Sequence, residues 1–305
     1  MIVISSIPLV TGFVTLIHSP YIGRFAPSPS GPLHFGSLVA AVGSFLRARS
    51  MGGQWLVRIE DIDPPREVPG CSDDILRTLL AYGLEWDGEV LYQSQRLDAY
   101  QARLDSLMAN DLAYYCQCTR KQIHAMGGSY DGRCGALETS LDHGAIRIRN
   151  TVGIDKFQDT LMGEIHLDKA FANEDFIIKR SDGLYAYQLA VVMDDDFQQI
   201  TEVVRGSDLL ETSCRQESLF ALFGLTPPTW LHLPLVCTTP GMKLSKQNHA
   251  PAIDIDQPQT SLNAALQFLG QPQVEPRQQM HLMLEQAISQ FDIDLIPKQT
   301  EIILS

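Results

Sequence analysis

The stretch YIGRFAPSPSGPLHFGSLVAAVGSFLRARSMGGQWLVRIE, residues 21–60, decides the fold. Tyr21 to Phe25 reads as a short buried strand, and the prolines at 27, 29 and 32 end it, because proline lacks a ladder donor and restricts φ. From Gly36 to Arg49 good helix formers carry apolar side chains at Leu38, Val39, Val42, Phe45 and Leu46, until Met51-Gly52-Gly53 stops the run. Trp55 to Ile59 is a second strand. Strand, turn, helix and strand make a βαβ unit, which implies an α/β fold with a parallel sheet and a right-handed crossover.

The turn inside this unit is also the strongest chemical signal. A strand that ends in a Pro/Gly turn at a helix start leaves backbone N–H groups and the positive helix end where phosphates can sit. Gly36 lacks the Cβ that would keep a planar base off the backbone, and His34 and Ser37 add hydrogen-bond donors beside it. A second signal is GMKLSKQNH, residues 241–249, where Lys243 and Lys246 can set two ammonium groups on a leaving polyphosphate.

Farther out, Asp73–Tyr82 and Leu97–Asn110 read as helices, and residues 114–150 form a Gly- and Cys-rich stretch that looks like an insertion rather than a sheet layer. Asp175 to Leu189 reads as strands around a turn at Ser181-Asp182-Gly183, which places Tyr187 on a strand. Asp194-Asp195-Asp196 suggests Mg²⁺ but reads as readily as an acidic, solvated loop after a buried strand and receives no role, and Asp61 and Asp63, which also suggest a metal, are expected to hold their own loop before Pro64-Pro65. Val203–Arg205 is a further strand and Cys214–Phe223 a helix closed by Gly224, with short helical stretches and a tail after Lys246.

The whole chain has 305 residues, enough for two domains or one large domain with an insertion at roughly 150 residues each. With 45% hydrophobic and 19% charged residues it can bury a full core. A net charge of −13 argues against bulk electrostatic coating of nucleic acid or anionic membrane, so any RNA contact must be a local basic patch. No apolar run reaches the roughly 18 residues of a membrane span. Residues 1–20 are apolar but contain no Lys or Arg for the positive region of a secretory signal, and they receive no role. The 6 cysteines are too few and too scattered for a disulfide framework, which implies reduced thiols and a cytoplasmic location. No exposed apolar helix suggests a self-partner, so a monomer is expected.

His34-Phe-Gly-Ser37 resembles the HIGH signature of class I aminoacyl-tRNA synthetases, and Lys243-Leu-Ser-Lys-Gln247 resembles their KMSKS loop. PSPSGPLHFGS, IEDIDPPR (59–66), YAYQLAVVMDD (185–195) and ITEVVRG (200–206) are similar to the glutamyl branch, so the resemblance runs from about Tyr21 to Gly270. It implies a Rossmann-like catalytic fold in which Arg24, Ala26, Ser28, Glu60, Tyr187 and Arg205 line a glutamate pocket. His34, Gly36, Ser37, Lys243 and Lys246 would bind ATP, with His34, Lys243 and Lys246 catalytic and Mg²⁺ accompanying the nucleotide. The chemistry of the substrate agrees, since two carboxylates and an ammonium call for a guanidinium fork and a carboxylate.

Cys116, Cys118 and Cys134 fall within nineteen positions and suit a structural zinc, which stabilises a subdomain too small for its own core. Bare chemistry nominates His124 or His143 as the fourth ligand, whereas the resemblance points to Tyr130. The expected division is 1–20 as an N-terminal extension, 21–113 and 151–250 as two halves of the catalytic domain, 114–150 as the zinc-binding insertion, and 251–305 as a short helical segment and tail.

Only 58 residues follow Gln247, and residues 251–305 hold seven acidic against two basic side chains, so no anticodon-binding domain is expected. Within the glutamyl branch this architecture implies a short paralogue that activates L-glutamate with ATP and joins it to the queuosine base at the wobble position of tRNA(Asp). Two other readings use the same residues: a short synthetase that charges the 3′ end of tRNA(Glu), and a catalytically silent paralogue that binds RNA or protein. The loop ends in Gln247 instead of Ser, and the other motif carries Phe35 and Ser37, but neither departure removes a charged group.

Overall fold

The computed structural model describes residues 20–137, 141–244 and 251–304. Lys246, its neighbours Ser245 and Gln247, and residues 1–19 of the N-terminal extension lie outside the described residues. β1 (Ile22–Phe25) enters the proline turn, and α1 (Phe35–Ser50) crosses back to β2 (Gln54–Ile59), which runs parallel to β1 with Arg24 opposite Leu56. α2 (Cys71–Ala81) leads to β3 (Leu91–Tyr92), parallel to β2, and then to α3 (Leu97–Ala109). Next come β4 (Ala113–Cys116), α4 (Arg120–Ala125), β5 (Ala145–Ile148), β6 (Lys156–Asp159), β7 (Gly163–His166), α5 (Lys169–Asn173) and β8 (Ile177–Lys179). The second half brings α6 (Tyr187–Phe197), β9 (Glu202–Gly206), α7 (Ser213–Leu222), β10 (Thr229–Leu233), β11 (Leu235–Thr239) and β12 (Met242–Lys243). α8 (Pro258–Phe268), α9 (Met280–Gln290) and β13 (Glu301–Ile303) follow.

β10 lies parallel between β9 and β6, with β7 as an antiparallel edge. β1 adjoins the start of β9, where the Thr201 N–H donates to the Ile22 carbonyl at 2.9 Å, so strand order runs outward from this seam in both directions. Such a seam is the switch point at which a parallel α/β sheet leaves a crevice beyond its strand ends. α1, α2, α8 and α9 build one hydrophobic core on one side, and α3, α6 and α7 build a second. Gly43 permits the close seat of α1, because a Cβ there would lie 2.6 Å from Leu233 Cδ1.

Four sequence expectations change. Tyr187 opens helix α6 instead of lying on a strand; Leu189 to Val192 are all buried, and a helix covered on most sides shows no clean period to distinguish it from a core strand. Asp194 and Asp195 are not solvated loop residues but are buried on that helix, because arginines from elsewhere in the chain pair with them. The 114–150 stretch does contribute to a sheet: β4, β5 and β8 form an antiparallel ladder. The region after Lys246 is more than helices and tail, since β13 pairs in parallel with β11, Leu235 beside Glu301.

Candidate active site

A cavity of about 280 Å³ opens at the switch point, between the ends of β1 and β9. Arg24, Ala26, Ser28, Glu60, Tyr187 and Arg205 all line it, together with Ala40 of α1. The sequence spreads these six over 182 positions, and the fold brings them to one surface because β1, β2 and β9 end there and α6 begins there.

Each charged group is fixed from behind. Arg24 donates from Nε to Asp195 Oδ1 at 3.1 Å, and Arg58 donates to the same oxygen at 2.8 Å. Burial by itself would raise the Asp195 carboxyl, but the two guanidiniums hold it below the usual carboxylate range. Asp194 faces the other way and accepts from Tyr100, Gln93 and Arg96, which anchors α6 to α3 and the turn before it. Arg205 donates from Nε to His232 Nε2 at 3.1 Å and from a terminal nitrogen to Ser213 Oγ at 2.8 Å, with the Tyr187 hydroxyl 3.4 Å from its other terminal nitrogen. His232 in turn donates from Nδ1 to Asp159 Oδ2 at 2.7 Å. Desolvation pushes the imidazole down to about 4, so it stays neutral and accepts from Arg205.

Glu60 differs from the others. Its Oε1 has no hydrogen-bond partner among the described residues, with Arg58 Nε 3.7 Å away. Burial raises its carboxyl to about 7, against the opposing pull of Arg58 and Arg24. An unpartnered carboxylate oxygen at a cavity wall is a receptor for a cationic donor.

A second cavity of about 200 Å³ lies over the N-terminus of α1, lined by His34, Gly36, Ser37, Ala40, Gly206, Asp208 and Lys243 among others. Ala40 is a wall of both cavities. His34 caps α1: its Nδ1 accepts from the Ser37 N–H at 3.3 Å, so that N–H, expected to face a ligand, is taken by the imidazole. A Cβ on Gly36 would meet the His34 ring at 3.1 Å and the Leu244 carbonyl at 3.6 Å, so the glycine accommodates the imidazole first of all. Lys243, on β12, pairs with Asp208 at 2.6 Å across the cavity mouth.

The cysteines converge as well. The sulfurs of Cys116, Cys118 and Cys134 all lie within 4.8 Å of one another, with Cys118 and Cys134 3.5 Å apart, close to the roughly 3.8 Å that thiolates on one tetrahedral zinc require. This donor set fits a metal ion. The Tyr130 hydroxyl is held within the same group, accepting from the Cys134 N–H at 2.9 Å, and Arg147 lies 3.8 Å over its ring. His143 points instead to Gln117 and Asp142 at the surface, and His124 is exposed on α4.

Asp195, Arg58, His232, Ser213 and Asp159 escape the sequence reasoning. A histidine inside the apolar strand Trp230-Leu-His-Leu233 is a signal that could have pointed to one of them. Of the loop aspartates, Asp61 accepts from the Ser94 N–H and hydroxyl rather than from its own loop, and Asp63 pairs with Arg66 and Arg180.

At the switch point of a parallel α/β sheet, a cavity over a helix N-terminus thus shares the wall residue Ala40 with a pocket that holds two buried arginines and a carboxylate oxygen without a hydrogen-bond partner among the described residues. The chain belongs to the class I tRNA synthetases of the glutamyl and glutaminyl type: residues 22–303 match the family described as tRNA synthetases class I (E and Q), catalytic domain. It is similar in particular to the glutamyl-Q tRNA(Asp) synthetase of Shewanella frigidimarina, with 68% identity over 290 residues, covering 95% of this chain and 99% of that protein. The glutamyl-Q tRNA(Asp) synthetase of Escherichia coli K12 is 54% identical over 289 residues, 94% of each chain. A solved glutamate tRNA ligase from Elizabethkingia meningosepticum, in complex with its amino acid, shares the fold with a TM-score of 0.77 at 24% identity, over 92% of this chain and 66% of that one.

Proposed function

We propose that this protein is a ligase that activates L-glutamate with ATP as glutamyl-adenylate and transfers the glutamate to the queuosine base at the wobble position of tRNA(Asp). The observation that carries the activation step is the wall shared by the two cavities: an amino acid in one and a nucleotide in the other meet at Ala40. The relatives with this acceptor in their names are spanned over nearly their whole length, which supports the second step.

Arg24 and Arg205 supply guanidinium forks for carboxylate, with Tyr187 beside Arg205, while Glu60 takes the ammonium and Ala26 and Ser28 line the wall. One carboxylate oxygen of glutamate then attacks the α-phosphorus of ATP. The new P–O bond forms as the bond to the β-phosphate breaks, and pyrophosphate leaves. Positioning and charge stabilisation dominate such a transfer. The N-terminus of α1, with Gly36, Ser37 and the His34 cap, faces the phosphates; Lys243 leaves Asp208 to join Lys246 on the departing pyrophosphate. Mg²⁺ accompanying ATP would neutralise phosphate charge. In the second step a ring hydroxyl of queuosine attacks the activated carbonyl, AMP leaves and the hydroxyl proton passes to solvent. The mixed anhydride is already activated, so no protein base is required.

Cys116, Cys118 and Cys134 would hold a structural zinc with Tyr130 as fourth ligand; the position of its hydroxyl supports Tyr130 over His124 and His143. Among the described residues no helix is long and apolar enough to cross a membrane. All six thiols are free, which supports a cytoplasmic location.

The test is incorporation of radiolabelled glutamate, with ATP and Mg²⁺, into tRNA(Asp) prepared with and without queuosine and into tRNA(Glu). Label on the queuosine-containing tRNA alone is expected. Label on tRNA(Glu) would make the protein a charging synthetase, and absence of both label and glutamate-dependent ATP–pyrophosphate exchange would overturn the reading.

A further inference from the structure

Of the N–H groups on the Arg205 guanidinium, all but one are taken by protein acceptors. Nε donates to His232 Nε2, Nη2 donates to Ser213 Oγ and, at 3.4 Å, to the Leu209 carbonyl, and Nη1 gives one N–H to the Tyr187 hydroxyl. The other N–H on Nη1 is left for the cavity that Arg205 and Tyr187 both line. Because the Tyr187 oxygen accepts from Arg205, its own proton points elsewhere, and among the described residues no acceptor takes it. Burial raises the phenol, so the proton stays on. The corner of the cavity between these two side chains therefore offers donors alone. Behind it the direction of each hydrogen bond is fixed in turn. Arg205 Nε can only donate, so His232 Nε2 must be bare and Nδ1 must carry the imidazole proton. Asp159 Oδ2 accepts from that Nδ1 at 2.7 Å and from the His232 backbone N–H at 3.1 Å. Its Oδ1 accepts from the Leu161 and Met162 N–H groups at 2.9 and 2.8 Å. Asp159 and His232 are wholly buried, which keeps solvent from competing for these bonds.

We infer that Asp159 and His232 are positioning residues for amino-acid specificity: they fix the direction in which Arg205 and Tyr187 donate, and so make this corner accept an acid and reject the matching amide. The inference rests on glutamate as the amino acid assigned above. A carboxylate brings acceptors only, whereas the carboxamide of glutamine, nearly the same in shape, replaces one oxygen by an NH₂ donor. Two donors matched to two oxygens leave one donor facing the amide nitrogen however the group turns. A buried donor without an acceptor carries a large penalty, which is the basis on which such sites discriminate. The unpartnered acceptor of the cavity, Glu60 Oε1, is engaged by the ammonium in the same reading. Without an acceptor at His232 Nε2, the guanidinium is free to pivot about its Ser213 contact. Tyr187 then loses the donor that orients it, and its hydroxyl can turn to accept from an amide.

The experiment measures ATP–pyrophosphate exchange by the full chain with L-glutamate and with L-glutamine, and reads the ratio of the two kcat/KM values, which does not depend on the fraction of folded enzyme. The variants are His232→Leu, His232→Asn and His232→Gln. Asparagine sets its amide near the Nδ1 position and can keep the bond to Asp159, whereas glutamine sets its amide oxygen near the Nε2 position and can accept from Arg205. His232→Leu and His232→Asn are expected to lower the glutamate-to-glutamine ratio roughly tenfold, the size of one charge-assisted hydrogen bond, with the KM for glutamate raised and the KM for ATP unmoved. His232→Gln should recover most of the ratio. A merely structural role would lower exchange with both amino acids and leave the ratio at its wild-type value, and that result would overturn the inference. Equal ratios in His232→Asn and His232→Gln would overturn it as well, since an acceptor toward Arg205 would then make no difference. If the wild-type protein shows no glutamate-dependent exchange, the amino acid assigned above fails and the inference with it.

Discussion

At the scale of residues, the site depends on pairs that a sequence does not display. Arg24 and Arg205 announce themselves by motif, but their supports are remote: Asp195 lies 171 positions from Arg24, and His232 lies 27 from Arg205. A run of three aspartates looks like a wet loop until two buried guanidiniums are known to face it. Asp195→Asn keeps the shape and removes the charge that pairs both arginines, so it is expected to cost about 3–5 kcal/mol of stability, read as a lowered urea midpoint, and to weaken glutamate binding. Glu60 supplies the pH dependence. Its ligand-free carboxyl titrates near 7, whereas a bound ammonium needs the ionised form. Glutamate affinity should therefore fall as pH drops through 7, by up to about tenfold per unit below it. Calorimetric titration from pH 8 to pH 5.5 checks this, and in Glu60→Gln that pH dependence should vanish along with most of the affinity.

Among the elements, those with a clean period were legible: α1, α2, α3 and α7 lie within two residues of the sequence expectation, as do β1, β2 and β9. α6 was not, because a helix covered on most sides has no clean polar stripe, and β13 was not, because a three-residue strand gains its identity only from its neighbour. The cysteine knuckle is a third kind. Among the described residues its own apolar cluster is Tyr114, Cys116 and Tyr130, with a few partly buried neighbours, so the zinc proposed for the three sulfurs is expected to supply much of its order. Dialysis against a chelator should speed amide hydrogen exchange across residues 113–137 while α1 and β2 stay protected. ATP–pyrophosphate exchange should persist and transfer to tRNA should fall; uniform loss of protection through the whole protein would count against a local role.

For the whole molecule, β13 ties together the walls of the cavity proposed for the nucleotide. Its Glu301 accepts from the Gly241 N–H at 3.1 Å, at the turn that presents Lys243, and the preceding Thr300 carbonyl accepts from the Ser207 hydroxyl and the Leu235 N–H. Glu301→Ala should raise the KM for ATP several-fold, with the KM for glutamate nearly unmoved and Glu301→Gln close to wild type, as measured by pyrophosphate exchange. A parallel shift of both constants would mean a general loss of folded protein. The same strand sets an order of assembly. Cys237 and Glu301 are 64 residues apart, so a chain growing on the ribosome carries β11 and the lysine hairpin long before the strand that frames them exists. Every earlier part of the sheet can close as it is made. A nascent chain stalled after α9 would thus hold every residue that lines the first cavity, while the hairpin that carries Lys243 beside the second would still lack its brace.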